Sequence, residues 1–335
     1  MSKQAMLRIV AVALVLIAGF GFIALVARTP VAAKTRPRAV EPDPERTIAK
    51  RLPRDEQLRQ EPLPEALEPL RSIAVPKVAP EPGDWLAEHP EDGQSIAQHK
   101  VDCRPVPQKV VYLVPVGALD AKATVVLTKL EFLLAAHFQL PVKRLPALPA
   151  AVAGKSERDG QLGKQWLTDD VLDGLMKVRP ADAAAVMAFT TVDLYPDPSW
   201  NFVFGQASYD ERVGVMSVAR TGDLELEPEL VLERSYATGM HEIGHMLQIL
   251  HCIAWECPMN GCNHQDESDS RPLEPCPHCL AKLIRATGLD PMKRWKDLRA
   301  EFDRAGLTRG VKEIDAELAA MARGASSDAG VSSVP

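Results

Sequence analysis

The distribution of apolar and polar positions divides the chain into three unlike stretches. From Ile9 to Ala27 there are 19 consecutive uncharged residues, and a helix of that length spans roughly 28 Å, close to the ~30 Å hydrocarbon core of a bilayer. A cleaved signal peptide is the rival reading, but its apolar core is usually only ~7 to 15 residues long. The longer run predicts a single-pass transmembrane anchor over residues 1–28, with the membrane as a partner through residues 9–27. Lys3 and Arg8 precede the run and Arg28, Lys34, Arg36 and Arg38 follow it, so the charges leave the side of the rest of the chain open. Residues 29–100 alternate Pro with Glu, Arg and Leu, and 12 of the 28 prolines fall between Pro30 and Pro90. Such a composition supports neither a helix ladder nor a strand interior, and predicts an extended linker. Short amphipathic pieces such as Glu65 to Ile73 interrupt it.

Periodic structure begins at Val110, where the run to Val116 predicts a buried strand and Leu119 to Phe138 a helix. Val142 to Leu145 is a second, short strand. A helix from Thr168 to Lys177, with Thr168 as its cap and Asp169 and Asp170 in its first turn, leads into a strand from Ala184 to Tyr195. Two strands follow at Asn201 to Ser208 and Arg212 to Ala219, then a helix from Glu229 to Leu250. Helices at Pro291 to Ala305 and Val311 to Met321 close a folded domain over residues 101–323, ahead of a disordered tail at 324–335. The expected class is α/β.

Composition changes this picture in two ways. In 335 residues, 39 basic groups face 45 acidic ones for a net charge of −6, so no basic face is evident that could neutralise a phosphate backbone, and nucleic acid is not expected as a partner. Five of the six cysteines lie between Cys252 and Cys279, beside histidines. That bunching points to metal rather than to disulfide stapling of a chain this long.

The sharpest motif is His241-Glu242-Ile243-Gly244-His245, near the end of a predicted helix. A spacing of four residues puts both imidazoles on one helical face, about one turn apart, as two zinc ligands. Glu242 adjoins the first histidine and can take a proton from a water activated by the ion, which is what a metal-assisted hydrolase needs. His251, ten residues after His241, supplies a third nitrogen. Three protein ligands leave one tetrahedral position for water and substrate. Next come Cys252 and Cys257, separated by four residues, and Cys276 and Cys279, separated by two. Four thiolates saturate a tetrahedral ion, so this second zinc is expected to be structural and to clamp the loop between Cys257 and Cys276. Two disulfides or buried free thiols are the alternative, and Cys262 and His264 could serve as substitute ligands.

These residues resemble the archaemetzincins, metzincin-like zinc metallopeptidases. The resemblance rests on His241, Glu242, His245 and His251, on the four cysteines, and on Asn201 to Ala207 ahead of the active-site helix, and covers roughly Val110 to Leu283. It implies that Met259 forms the Met-turn beneath the catalytic ion. It also implies a mixed twisted sheet backed by helices, with Asn201 to Ala207 as the edge strand along which an extended peptide or protein substrate binds. Gln248 stands at the bend after the histidine helix, where the metzincin pattern carries Gly. The expected protein is therefore a membrane-tethered peptidase with two Zn2+ ions, one catalytic and one structural. A zinc-stabilised peptide-binding module without turnover is the alternative.

Overall fold

Leu58, Leu63, Leu67 and Leu70 recur every three to five residues within the Pro-rich stretch, and all four are buried in the main hydrophobic core. In the computed structural model, which describes residues 52–102 and 109–331, this stretch is folded onto the domain from Leu52 onward. It forms α1 (Arg54–Arg59), a 3-10 helix (Glu65–Ser72), α2 (Trp85–Glu88) and α3 (Ile96–Asp102). Over residues 52–100 the expected extended linker is corrected, while its part at 29–51 lies outside the described residues: the prolines keep the helices short, but the leucines between them still have an apolar surface to cover. Among the described residues no helix is long and apolar enough to cross a membrane. The anchor expected at residues 9–27 lies outside the described residues; over the described residues the fold class is corrected to mixed α/β with no membrane-spanning helix, and the single-pass membrane location is withdrawn.

The sheet is built on β1 (Val110–Pro115), whose six residues are all buried. After α4 (Ala121–Phe138), β2 (Val142–Arg144) pairs parallel with β1. A hairpin of β3 (Arg158–Gly160) and β4 (Gly163–Leu167) leads into α5 (Thr168–Val178). Then come β5 (Ala183–Thr190), β6 (Asp193–Tyr195), β7 (Gly205–Ala207) and β8 (Val213–Ser217). The main sheet runs β2-β1-β5-β8-β7, with β7 the only antiparallel member, and β3-β4-β6 form a small second sheet. Side chains alternate along β1: Val111 and Leu113 enter the core shared with α4, while Val110, Tyr112 and Val114 enter a second core with Trp166, Val171 and Leu175. Both faces are covered, as the unbroken apolar runs of these strands require.

Two expected elements differ in detail. The single strand Ala184 to Tyr195 is split, because the Val192 amide donates to Thr190 Oγ1 and turns the chain out of the main sheet. Asp193 is then held in the second sheet by Arg220, at 2.7 and 2.8 Å. Thr168 does not cap α5; its hydroxyl donates to Gln206 Oε1 at 2.6 Å and ties the helix to β7 instead.

The long helix α6 (Pro228–Met246) starts with Pro at a position that needs no amide donor, and packs across β8 and α4. Beyond it lie α7 (Gln265–Ser270), α8 (Pro277–Thr287), α9 (Pro291–Ala305) and α10 (Thr308–Val331). The helix α10 runs past residue 324, the expected start of the tail. A fully buried Arg294 on α9 pairs with Glu274 at 2.6 Å and donates to the His137 carbonyl, locking α9 against α4. Through these contacts α6 is fixed at the centre of the molecule with its C-terminal turn beside β7.

Candidate metal centres

His241 and His245 occupy the last two turns of α6, which ends at Met246. The turn after it is closed by Gln248 N–H to His245 O at 2.8 Å and by Ile249 N–H to Gly244 O at 3.0 Å. Gln248 is in the left-handed region, with φ of 68°. A side chain there costs ~1 to 2 kcal/mol relative to glycine. Partners on both sides offset that cost: its Nε2 donates to Tyr209 O at 2.6 Å and its carbonyl accepts from Gln94 Nε2 at 3.0 Å. The bend is thus made without glycine. It returns His251 to the helix, so that one ring nitrogen from each of His241, His245 and His251 lies within 4.8 Å of the others.

Hydrogen bonds assign the free nitrogens. Nδ1 of His241 donates to Pro258 O, Nδ1 of His245 to Ile249 O, and Nδ1 of His251 to a carboxylate oxygen of Glu91, each at 2.8 Å. That leaves the three Nε2 atoms as bare acceptors. Burial pushes the pKa of His241 well down and that of His245 to about 3, with the neighbouring imidazoles acting in the same direction, so both rings are neutral. The bare Nε2 atoms of His241 and His245 face each other at 2.9 Å, which is repulsive unless a cation lies between the rings. A tetrahedral ion with Zn–N of ~2.0 to 2.1 Å sets its nitrogens roughly 3.3 Å apart. The donor set fits such an ion.

Glu242 is buried between α6 and β7, and burial pushes its carboxyl up to about 8, with Arg271 pulling the other way. A divalent cation at the imidazoles pulls in the same direction as Arg271 and favours the ionised form. Gly205 makes room for this side chain. A Cβ there would come within 2.8 Å of Glu242 Cγ and Oε1, and within 2.9 Å of the Val215 carbonyl. Gly205→Ala is therefore expected to loosen β7 against β8 at some cost in stability and to lower kcat by on the order of 10-fold or more, since ~1 Å of displacement suffices for such losses. Steady-state kinetics with a circular dichroism control would check it.

A cleft of ≈ 730 Å³ opens over Glu242 and the three histidines. One wall is Asn201 to Ala207. Only Gly205–Ala207 forms a ladder with β8, because Val203 turns aside to bridge Leu194. Phe202 and Phe204 line the cleft and are only half-buried, whereas the strand pattern alone assigns them to the core. The cleft is also lined by Trp85 and His89 of the folded N-terminal stretch, which pack against Trp200. These two and Glu91 were missed by sequence reasoning. A tryptophan within a Pro-rich, polar stretch was the available signal.

Beneath the histidines, Met259 lies against Gly244, where an added Cβ would meet Met259 Sδ at 2.7 Å. The Met259 carbonyl also accepts from Cys252 N at 2.8 Å, which joins this turn to the cysteine loop. Gly244→Ala should destabilise the protein by about 1 to 3 kcal/mol through overpacking, read as a lower urea midpoint with an unchanged slope.

The Sγ atoms of Cys252, Cys257, Cys276 and Cys279 lie within 4.8 Å of one another, all four buried. Cys252 and Cys276 are 3.8 Å apart, far beyond a disulfide and close to the sulfur separation that Zn–S bonds of ~2.3 Å impose at a tetrahedral ion. Burial pushes the Cys257 and Cys276 thiols well up, whereas hydrogen bonds from the neighbouring thiols pull Cys252 down. Four buried thiols become thiolates together only around a cation. Cys262 and His264 are not in this cluster. The Cys262 sulfur accepts from Arg271 at the cleft wall, and His264 faces Asp84. Asp84, His264 and Glu267 also converge, but His264 Nδ1 accepts the Glu267 amide, so its Nε2 carries the proton and points it at Asp84.

Comparison with known proteins places these centres in context. Residues 148–285 match the model of peptidase family M54. The chain is 34% identical over 273 residues to archaemetzincin-2 of Homo sapiens, covering 70% of this chain and 76% of that protein. It is 31% identical over 230 residues to archaemetzincin-1 of Mus musculus, covering 58% and 46%. The crystal structure of archaemetzincin from Methanopyrus kandleri matches 54% of this chain and 97% of its own, at 29% identity and a TM-score of 0.45.

Proposed function

The chain belongs to the archaemetzincin family and is a zinc metallopeptidase, and on that footing we propose that it hydrolyses peptide bonds in the cleft between α6 and β7. His241, His245 and His251 hold the catalytic zinc, and Cys252, Cys257, Cys276 and Cys279 hold a second, structural zinc. The observation that carries this reading is the convergence of three imidazoles, each with Nδ1 engaged by an oxygen, beside the buried carboxylate of Glu242. When bound, the catalytic ion supplies Lewis acidity, lowering the pKa of a water and polarising the scissile carbonyl.

The side chains do the rest. Glu242 accepts the proton of the attacking water and delivers it to the leaving amine, a role for which its place next to His241 and its ionised form are both required. Gly205 keeps that carboxylate against the edge strand. The backbone of Gly205–Ala207 pairs with β8 on one side and borders the cleft on the other, so an extended peptide can add to it by main-chain hydrogen bonds. A non-catalytic peptide-binding module was suggested by Gln248; since Gln248 adopts the conformation the bend needs, that feature no longer favours it. The test is turnover of a peptide by the zinc-loaded chain. Hydrolysis that stops with a chelator or a hydroxamate and returns with zinc supports the reading, and zinc-loaded protein that binds peptide but never cleaves it refutes it.

A further inference from the structure

Glu91 belongs to the N-terminal stretch that composition assigns to a linker, yet its two carboxylate oxygens lie 2.8 and 3.1 Å from Nδ1 of His251, 160 residues away. The three histidines are not held alike. His241 and His245 ride on a helix and donate to the neutral carbonyls of Pro258 and Ile249. His251 lies beyond the helix end, without a helical backbone to fix its ring, and is the one that donates to a carboxylate. Glu91 is itself anchored, since Trp85 Nε1 donates to it at 3.0 Å. The indole also packs edge-on to the His251 ring, with centroids 5.1 Å apart. Gly261, on the cysteine loop, lets the indole seat there, because a Cβ at Gly261 would lie 2.4 Å from Trp85 Cδ1.

We propose, on the reading of the three-histidine site given above, that Glu91 is a positioning residue of the catalytic centre. It orients the His251 ring, fixes the proton on Nδ1 and makes the Nε2 lone pair a more basic metal ligand, so that the stretch before the sheet is a working part of the metal site. The carboxylate acts through His251 and touches neither substrate nor the reacting atoms.

The test uses the full chain and compares Glu91→Ala with Glu91→Gln, which keeps an oxygen acceptor but not the charge. Zinc affinity at the three-histidine site is read by competition with a chromophoric chelator, and the ligand set by the visible spectrum of the cobalt(II)-substituted site. Glu91→Ala is expected to weaken that zinc ~10- to 100-fold and to alter the cobalt spectrum, with Glu91→Gln between it and the parent. The cysteine-bound ion is expected to stay in both variants. Glu91→Ala holding the ion within ~2-fold of the parent, with an unchanged spectrum, overturns the proposal, because an outer partner of a metal ligand normally costs more than that. Loss of both ions alike also overturns it, since that is unfolding rather than misorientation. A parent chain that binds only the cysteine-held ion sinks the three-histidine site itself, which distinguishes failure of that reading from failure of this one.

Discussion

Glu242→Ala is expected to retain zinc at both sites and to hydrolyse peptides ~10²- to 10⁴-fold more slowly, the usual range for removing a general base. The carboxylate is not in the proposed ligand set, and three imidazoles with their Nδ1 protons engaged remain to hold the ion. Metal content therefore separates a catalytic role from a structural one. Glu242→Gln is the stricter version. It keeps the volume that lies against Gly205, so packing is preserved, but an amide cannot take a proton at neutral pH. Both variants should bind a hydroxamate, which needs the ion and not the base. Elemental analysis alongside steady-state kinetics decides the matter: a Glu242→Gln protein that cleaves as fast as the parent removes the general-base assignment, whatever its zinc content.

The residues that bear the chemistry were legible because their spacing encodes their geometry. His241 and His245 share a helical face by periodicity alone, and a cysteine pair with two intervening residues needs only a turn to converge. The strands that carry the site were legible as apolar runs but not in their bounds. Ala184 to Tyr195 reads as one strand until the Thr190 hydroxyl captures the Val192 amide, a contact that composition does not register. Residues 201–207 read as a strand, whereas most of that segment is spent lining the cleft. The N-terminal stretch was the least legible. Its prolines outweigh four leucines in any local window, and the 3-10 helix that carries Leu67 and Leu70 is covered by α8 and α10, more than 200 positions later. Glu91 could not be found by spacing at all, since its partner His251 is brought to it by the fold. The apolar run at residues 9–27, which length and hydropathy read as a membrane span, lies outside the described residues, and no helix within them is long and apolar enough to cross a membrane.

Cys276→Ser should remove one zinc per chain and much of the protein's stability. A structural zinc site contributes about 10 to 16 kcal/mol of apparent binding free energy at neutral pH, comparable with the ~5 to 15 kcal/mol by which whole domains are stable. The loss falls on a dense part of the structure. Cys276 sits at the N-terminal cap of α8 and Cys279 in its first turn, while Cys252 and Cys257 are tied through Asn260, whose Nδ2 donates to Cys252 O at 2.6 Å and whose Oδ1 accepts from Cys257 N at 3.0 Å. Serine is shorter and a poor zinc ligand, and three buried thiols are left without the cation that ionised them. A fall in Tm of more than ~10 °C is expected, because each kcal/mol shifts the midpoint of a domain this size by roughly 2 to 4 °C. The catalytic site should feel it as well. Cys252 directly follows His251, so the loop that returns the third imidazole to the ion is pinned by the structural site, and the remaining zinc should bind more weakly than in the parent. Metal counting with thermal unfolding checks both parts. Two zinc ions per chain and an unshifted midpoint in the Cys276→Ser protein would mean that the four sulfurs are an ordinary buried cluster.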